Sequence, residues 1–182
     1  TMPDKAQSRR NKLLDHEALW NYALRLLGAR GYSEKELRGK LRSRAARPRD
    51  LEPVIGRLRE YGYLDDRRLA ASYAAARLEN QGFGRERVLR DLRRKGVASG
   101  LARDAVQETY RDTDEAALIE AFLARKFRGV SLREHLAEPR HLAAAYRRLR
   151  NAGFGPAASI AVLRGYSERA DELEHLEPET DP

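Results

Sequence analysis

Apolar and polar positions along this chain follow the period of an α-helix. In stretch after stretch, apolar residues recur at intervals of three and four, which places them on one helical face. We find no useful alternation with a period of two, the pattern of a half-buried strand. Glycine, proline and capping residues separate the helical stretches. The pattern therefore predicts an all-α protein.

The first three predicted helices form one group. The capping box Ser33-x-x-Glu36 starts the second helix, and Pro48 breaks the chain before the third. The apolar spacing then assigns a buried face to each helix. The residues expected on these faces are Ala18, Leu19, Tyr22, Ala23, Leu26, Leu37, Leu41, Val54, Ile55, Leu58 and Tyr61.

The same order of three helices returns twice, and a second capping box, Ser131-x-x-Glu134, lies in the last group. The buried faces expected in the second group are Leu69, Tyr73, Ala76, Leu78, Val88, Leu89, Leu92, Leu101, Ala105, Val106 and Tyr110. Those expected in the third are Ala117, Leu118, Ala121, Phe122, Leu142, Tyr146, Leu149, Ile160 and Leu163.

The groups can be superposed as repeats. A shift of 51 residues places Leu41, Ala45, Val54 and Ile55 on Leu92, Gly96, Ala105 and Val106. A shift of 57 places Leu92, Gly96 and Val97 on Leu149, Gly153 and Phe154. Repeats this small bury little apolar surface alone, so neighbours share their ends. We expect three tandem three-helix (helix-turn-helix-like) repeats in an elongated, curved arrangement.

The boundaries follow from these groups. We assign residues 1–14 to a flexible basic arm, 15–62, 63–111 and 112–167 to the three repeats, and 168–182 to an acidic tail. The first two repeats meet at an inter-repeat junction, where a glycine ends one helix and two aspartates are expected to cap the next. This junction consists of Tyr61, Gly62, Leu64, Asp65 and Asp66.

Composition narrows the function. The chain has no cysteine, which excludes disulfides and thiolate chemistry, and no apolar run approaching the roughly 20 residues that span a bilayer. Its net charge of +8 divides into about −6 for residues 168–182 and +14 for the rest. A basic body points to a polyanionic partner. We expect a cytoplasmic protein with no membrane partner.

Catalytic and metal sites are not indicated. Glu138-x-x-His141 and Glu172-x-x-His175 resemble half of a di-iron pattern, but Pro139 interrupts the first and two further glutamates are missing. Gly82-Phe83-Gly84 lacks the strand and the lysine of a P-loop, so an interhelical turn is favoured over a phosphate cradle. We expect no enzyme, no cofactor and no metal.

The densest basic element runs from Arg85 to Lys95. Arg87, Arg90 and Arg94 fall on one stripe, opposite the apolar face. One interpretation is a solvated helix face that Glu86 and Asp91 partly neutralise. The other is a track for phosphates along repeated basic second helices. The corresponding residues in the other repeats are Arg38, Arg42, Arg147, Arg148 and Arg150.

Three motifs, taken in order, resemble the RecX family of regulators of the RecA recombinase. The resemblance is good from Leu19 to Tyr110 and loose in the third repeat. The motifs are Ser33-x-x-Glu36-Leu37-x-x-Lys40-Leu41, Tyr61-Gly62-Tyr63-Leu64-Asp65-Asp66-x-Arg68-x-Ala70 and Gly84-x-x-Arg87-Val88-x-x-x-Leu92-x-x-Lys95-Gly96-Val97.

The resemblance implies a regulatory protein that binds the RecA nucleoprotein filament and inhibits strand exchange and ATP hydrolysis, modulating DNA repair, recombination and the SOS response. It also implies weak, non-specific binding of single- and double-stranded DNA, and we expect a monomer. The residues expected to contact the partner or DNA are Arg77, Arg87, Arg90, Arg94, Lys95, Arg38, Arg42 and Tyr63.

Two other functions stay open from the sequence. A sequence-specific helix-turn-helix transcription regulator would bind one duplex far more tightly than others. A purely structural helical-repeat scaffold would bind neither DNA nor RecA. A further hypothesis concerns the acidic tail, which by its charge is suited to fold against the basic track and weaken non-specific DNA binding.

Overall fold

The structure is a computed structural model that describes residues 13–176. Within this range the chain forms ten α-helices and two 3-10 helices, and the one extended pairing is an isolated bridge between Leu14 and Ala45. The all-α prediction is confirmed. The α-helices are α1 His16–Ala29, α2 Glu34–Arg42, α3 Leu51–Glu60, α4 Asp66–Gln81, α5 Arg85–Arg94, α6 Ser99–Thr109, α7 Glu115–Lys126, α8 Leu132–Leu136, α9 Pro139–Asn151 and α10 Pro156–Arg164. The 3-10 helices are Pro48–Asp50 and Glu168–His175.

The chain divides into two compact units. The first contains the residues up to Ala70 together with Leu92–Ala102, and the second contains Ala71–Asp91 and the residues from Arg103 onward. Helices α4, α5 and α6 each contribute residues to both units. The repeat boundaries at 62, 111 and 167 and the curved arrangement stay predictions.

The core of the first unit is built by α1, α2 and α3, which pack on one another. Its buried side chains come from the predicted faces, with Leu64 added from the turn after α3. Tyr61 was expected on the same face but is 63% exposed, so that expectation is wrong. The reason is that α3 ends at Glu60, and the chain turns through Gly62, whose φ is +70°. The buried residues are Leu19, Ala23, Tyr32, Leu37, Leu41, Leu51, Val54, Ile55, Leu58 and Leu64.

The core of the second unit is built around α7, α9, α10 and the last 3-10 helix. Here the expected face of α7 was wrong, because Ala117 and Ala121 are exposed while Ile119 and Leu123 are fully buried. Burying isoleucine and leucine instead of two alanines removes more apolar surface from water. The largest buried side chains from the predicted faces are Phe122, Leu142, Tyr146, Leu149, Ile160 and Leu163.

In α4 the small residues are the buried ones. Ala70 and Ala74 have no exposed surface, whereas Ala76, expected inside, is exposed. Leu69 and Tyr73, also expected inside, are half-buried. Alanines four residues apart form a narrow stripe against which neighbouring backbone packs closely. The apolar spacing alone favoured the larger side chains and missed this stripe.

The two predicted capping boxes differ in outcome. Ser33 accepts from the N–H of Glu36 at 3.1 Å while the Glu36 carboxylate accepts from the N–H of Ser33, so the first box is formed. Ser131 precedes α8 but makes no side-chain cap bond, so the second prediction is wrong. Helix α8 has only five residues, and the longer insertion of the third repeat contains it.

Part of the expected tail is packed rather than flexible. Ser167 caps the 3-10 helix Glu168–His175, from which Ala170 and Leu173 are buried in the core of the second unit. Arg164 also pairs with Asp171 at 2.5 Å. Two apolar residues among the acids are enough to anchor this segment. The rest of the tail and residues 1–12 of the arm lie outside the described residues.

Candidate functional site

The N-terminus of α2 collects several hydrogen bonds within the first unit. The hydroxyl of Ser33 donates to the carbonyl of Lys95, in addition to capping α2. The carboxylate of Asp66 accepts from the N–H of Glu34 at 2.8 Å. Asp66 was expected to cap its own helix, so this assignment is corrected; Asp65 does cap α4, accepting from the N–H of Arg68. These bonds hold the Lys95 turn beside α2.

Burial changes the acidity of this junction. Desolvation raises the pKa of the Asp66 carboxyl above its ordinary value, although the N–H of Glu34 acts in the opposite direction. In contrast, the guanidinium groups of Arg59 and Arg38 lower the pKa of Glu34 despite its partial burial. The two carboxylates therefore meet at one helix start but respond to it in opposite directions.

An open cleft of about 410 Å³ lies between α2 and the end of α5, within the first unit. Its charged lining is four cations against a single acid, Glu36. Gly39 forms part of the lining, and a Cβ placed there would meet nothing within 4 Å. A glycine inside a helix costs about 1 kcal/mol relative to alanine, and here it leaves the helix surface bare. The four cations are Lys35, Lys40, Arg94 and Lys95.

The cations of the cleft are held at defined positions. Lys95 lies 3.8 Å from the carboxylate of Glu36, and the stem of Lys35 packs against Gly96. Gly96 has a φ of +82° and ends α5. With four positive groups and one negative group, the cleft retains an excess of positive charge suited to phosphate or carboxylate oxygens. Of the predicted contact residues, the structure brings Arg94 and Lys95 together here.

Arg38 and Arg42 fare differently on α2. Arg38 pairs with Glu34 at 2.9 Å and with Glu52, and both carboxylates raise its pKa. This arginine therefore joins α2 to α3 and is committed to internal pairs. Arg42 is exposed at the end of α2.

Arg87 and Arg90 serve a structural contact in the second unit. Their guanidinium groups donate to the carbonyl of Asn151, at 3.1 and 3.3 Å, and Arg87 also pairs with the buried Asp91 at 3.4 Å. Asn151 is the last residue of α9, where unsatisfied carbonyls favour cations. Both residues retain their predicted place on α5, but they also support the fold.

The Gly82-Phe83-Gly84 segment is an interhelical turn. The N–H groups of Gly84 and Glu86 donate to the carbonyls of Ala152 and Gly153, at 2.8 and 3.1 Å. These donors are the ones a phosphate at the start of α5 would need. The turn interpretation of the glycines is therefore supported, and the phosphate-cradle alternative is not.

Other predicted cations also have internal partners. The guanidinium of Arg77 lies 4.7 Å from the ring centroid of Tyr73. In the third repeat, Arg150 pairs with Glu86 at 3.1 Å and donates to the carbonyl of Phe154. Arg147 and Arg148 are exposed. The repeated basic helices thus mix structural arginines with exposed ones.

Tyr63 lies in an aromatic cluster that the sequence did not reveal. Its ring centroid is 6.4 Å from that of Trp20 and 6.3 Å from that of Tyr61, and Arg57 lies over the Trp20 ring. Lys35 and Lys40 of the cleft were missed as well. The signal available for them was Lys40 within the second-helix motif, and Trp20 had none beyond being the only tryptophan.

The remaining searches concern metals and membranes. Among residues 13–176, no group of three or more histidine, cysteine, aspartate or glutamate side chains is arranged to hold a metal ion. Over the same range, no helix has the length and apolar character needed to cross a bilayer.

Comparison with known proteins bears on this arrangement. The model of the first three-helix domain of RecX matches residues 20–58, and that of the second matches residues 65–106. The Regulatory protein RecX of Deinococcus radiodurans is 35% identical over 152 residues, which are 84% of this chain and 70% of the relative. That of Halorhodospira halophila is 35% identical over 61% of this chain and 67% of its own.

Two solved structures share the fold. The crystal structure of RecX from Lactobacillus salivarius has a TM-score of 0.62 at 22% identity and covers 88% of this chain and 97% of its own. A second, titled a crystal structure of regulatory protein RecX, has a TM-score of 0.65 at 22% identity, covering 81% and 72%. With the matched three-helix domains and the relative in Deinococcus, these findings show that the chain belongs to the RecX family of regulatory proteins.

Proposed function

We propose that this protein binds the RecA nucleoprotein filament and inhibits its ATP hydrolysis and strand exchange, so that it modulates DNA repair and recombination. The observation that supports this most directly is the cationic cleft of the first unit, in a chain that belongs to the RecX family. The filament presents both phosphates and acidic side chains, and either would complement four cations around one acid.

The cleft supplies a contact surface without a catalytic constellation. Its side chains are lysines, an arginine and a single glutamate, which bind anions by charge and hydrogen bonds. Inhibition of a filament requires only that the bound protein block a conformational step or a second strand. The proposed action is therefore binding in the cytoplasm by a monomer, without a cofactor.

The test is a titration of the protein into RecA–single-stranded DNA filaments while ATP turnover is followed. The double variant Lys40→Glu, Arg94→Glu reverses two charges of the cleft, and we expect it to inhibit at least about tenfold more weakly, corresponding to about 1.4 kcal/mol. The matched control is Arg103→Glu, Arg128→Glu, which makes the same charge change at exposed positions outside the cleft. It is expected to inhibit much like the original protein.

The outcomes separate the proposal from its alternative. Equal inhibition by the two double variants would remove the cleft as the contact surface. An original protein that leaves ATP turnover unchanged at saturating concentration contradicts the function itself. Strong preference for one duplex over others at fixed salt, without an effect on the filament, indicates a sequence-specific regulator.

A further inference from the structure

The first unit presents an exposed group of aromatic rings with an arginine. Trp20 of α1 meets Tyr61 and Tyr63 edge to face, with ring centroids 5.9 and 6.4 Å apart. The guanidinium of Arg57 lies 4.3 Å from the Trp20 ring centroid and 5.8 Å from that of Tyr61. We call these four residues the aromatic platform.

The platform is open to solvent at its tyrosines. Tyr61 is 63% exposed and Tyr63 is 52% exposed, whereas the other tyrosine in the core of this unit, Tyr32, is buried. Edge-to-face packing against Trp20 orients the two rings without covering them. Two ring faces are thus held in place and left accessible, an arrangement that a purely structural turn does not require.

The chemistry around the rings points to a stacked ligand. Large aliphatic side chains are scarce here: among the described residues of this unit, the only other strongly exposed large hydrophobic residue is Leu13. The centre of a protein interface usually combines aromatic with aliphatic surface. Rings beside a guanidinium instead match the π-faces of nucleic-acid bases, which stack on aromatics and on arginine.

Charge in the same unit supports a nucleic-acid ligand. The cationic cleft with Lys35, Lys40, Arg94 and Lys95 belongs to this unit, and residues 1–167 carry a net charge of about +14. Proteins that bind single strands combine a positive surface for the phosphates with aromatic side chains for the bases. A duplex keeps its base faces covered, so only a single strand offers them to such a platform.

We propose that Trp20, Arg57, Tyr61 and Tyr63 form a base-stacking site for single-stranded nucleic acid. The site deepens the proposed function, on which it rests for the biological source of the strand, namely the DNA of the filament. Stacking recognises any base, so the site adds affinity for single strands without sequence preference.

The chain's only tryptophan reports directly on this site. Titration with a thymidine oligonucleotide is expected to quench Trp20 emission to saturation, since a base stacks within the platform. An abasic oligonucleotide of equal length has the same phosphates and is expected to bind more weakly and quench little. Equal quenching and equal affinity for the two oligonucleotides would overturn the proposal.

Variants provide a second measurement, by anisotropy of a labelled oligonucleotide. Tyr61→Ala with Tyr63→Ala is expected to weaken single-strand binding about 10- to 100-fold, from a stacking contribution of about 1–3 kcal/mol per base. Tyr61→Phe with Tyr63→Phe keeps the rings and is expected to retain affinity, which separates stacking from hydroxyl contacts. The matched control, Val130→Ala, removes an exposed apolar side chain elsewhere and is expected to change nothing.

The outcomes also separate this site from the proposed function. Unchanged oligonucleotide binding by the alanine pair overturns the stacking site. If that pair instead loses filament inhibition, the platform contacts protein and its assignment to bases is wrong. Quenching and stacking in a protein that leaves filament ATP turnover unchanged would retain the site while contradicting the proposed function.

Discussion

The second helices of the first two repeats begin differently, although a shift of 51 residues relates Ser33 to Gly84. At the start of α2, the side chain of Ser33 donates to the carbonyl of Lys95. At the start of α5, the backbone N–H of Gly84 donates to the carbonyl of Ala152 at 2.8 Å. Lys95 and Ala152 are themselves related by the shift of 57. One junction thus occurs twice, once in each unit, with a different donor.

The two junctions differ in how closely the backbones approach. A Cβ on Gly96, in the first junction, would come within 2.8 Å of the Lys35 side chain, a group able to move. A Cβ on Gly153, in the second, would overlap the backbone nitrogen of Arg87, and one on Gly84 would overlap the carbonyl of Gly153. The first junction is therefore joined by side chains and charge, and the second by backbone alone.

This difference shows that a repeat conserves a contact rather than a residue type. Serine at the first junction spans the gap to a carbonyl that glycine at the second reaches with its main chain. The first is expected to respond to pH and side-chain deletion. The second is expected to respond chiefly to added volume.

The largest expected effect is at Gly153. Gly153→Ala places a Cβ against backbone at a φ of +92°, and we expect it to lower the free energy of unfolding by about 3–5 kcal/mol. Gly96→Ala, at a φ of +82°, meets only the lysine side chain and is expected to cost about 1–3 kcal/mol. Urea unfolding of both variants measures the difference. Equal losses would remove the distinction between the junctions.

A smaller effect is expected at the serine. Ser33→Ala removes both the cap of α2 and the donor to the Lys95 carbonyl, and is expected to cost about 1–2 kcal/mol of unfolding free energy. Ser131→Ala is the matched control, because Ser131 precedes a helix without making a cap bond. Urea unfolding that shows the same loss for both serines would contradict a specific role for Ser33.

The smallest effect concerns pH at Glu34. Because Arg59 and Arg38 lower its pKa, Glu34 contributes stability above the unfolded value of 4.5, and this contribution is lost as pH falls through the lower folded pKa. Glu34→Gln is expected to cost about 0.5–1.5 kcal/mol at pH 7 and to become equal in stability to the original protein in strong acid. Asp66 is present in both proteins, so its titration largely cancels.

Unfolding measured from pH 7 to pH 3 checks this convergence. The control Glu79→Gln changes an exposed glutamate of α4 and is expected to stay close to the original protein throughout. A constant difference between Glu34→Gln and the original protein across this range would mean that ionisation of Glu34 does not stabilise the first junction.

The helices of this protein were predictable from sequence, but several of their faces were not. Spacing of three and four placed Leu37 and Leu41 inside correctly. It failed for Tyr61, because the helix ended one residue earlier, and for Ala117, because a stripe shifted by two residues buried larger side chains. Local periodicity records that a face is apolar, while the neighbour decides which edge of it is covered.

The candidate site was predictable only in part, for a similar reason. Arg94 and Lys95 were identified by their density of charge, and the structure adds Lys35 and Lys40 from a helix about sixty residues earlier. Charge density did not distinguish Arg90, which donates to a helix end, from Arg94, which lines the cleft. Such a distinction requires knowing which carbonyls and carboxylates lie within reach.

The sequence by itself determined the helical class, the repeated order of helices and the family, because periodicity, caps and motifs are local in the chain. Tertiary structure alone decided which cations face a cleft, which aromatic rings stay exposed and which glycines admit no side chain. These properties depend on atoms brought together from distant positions, within distances of a few ångströms that no spacing along the chain encodes.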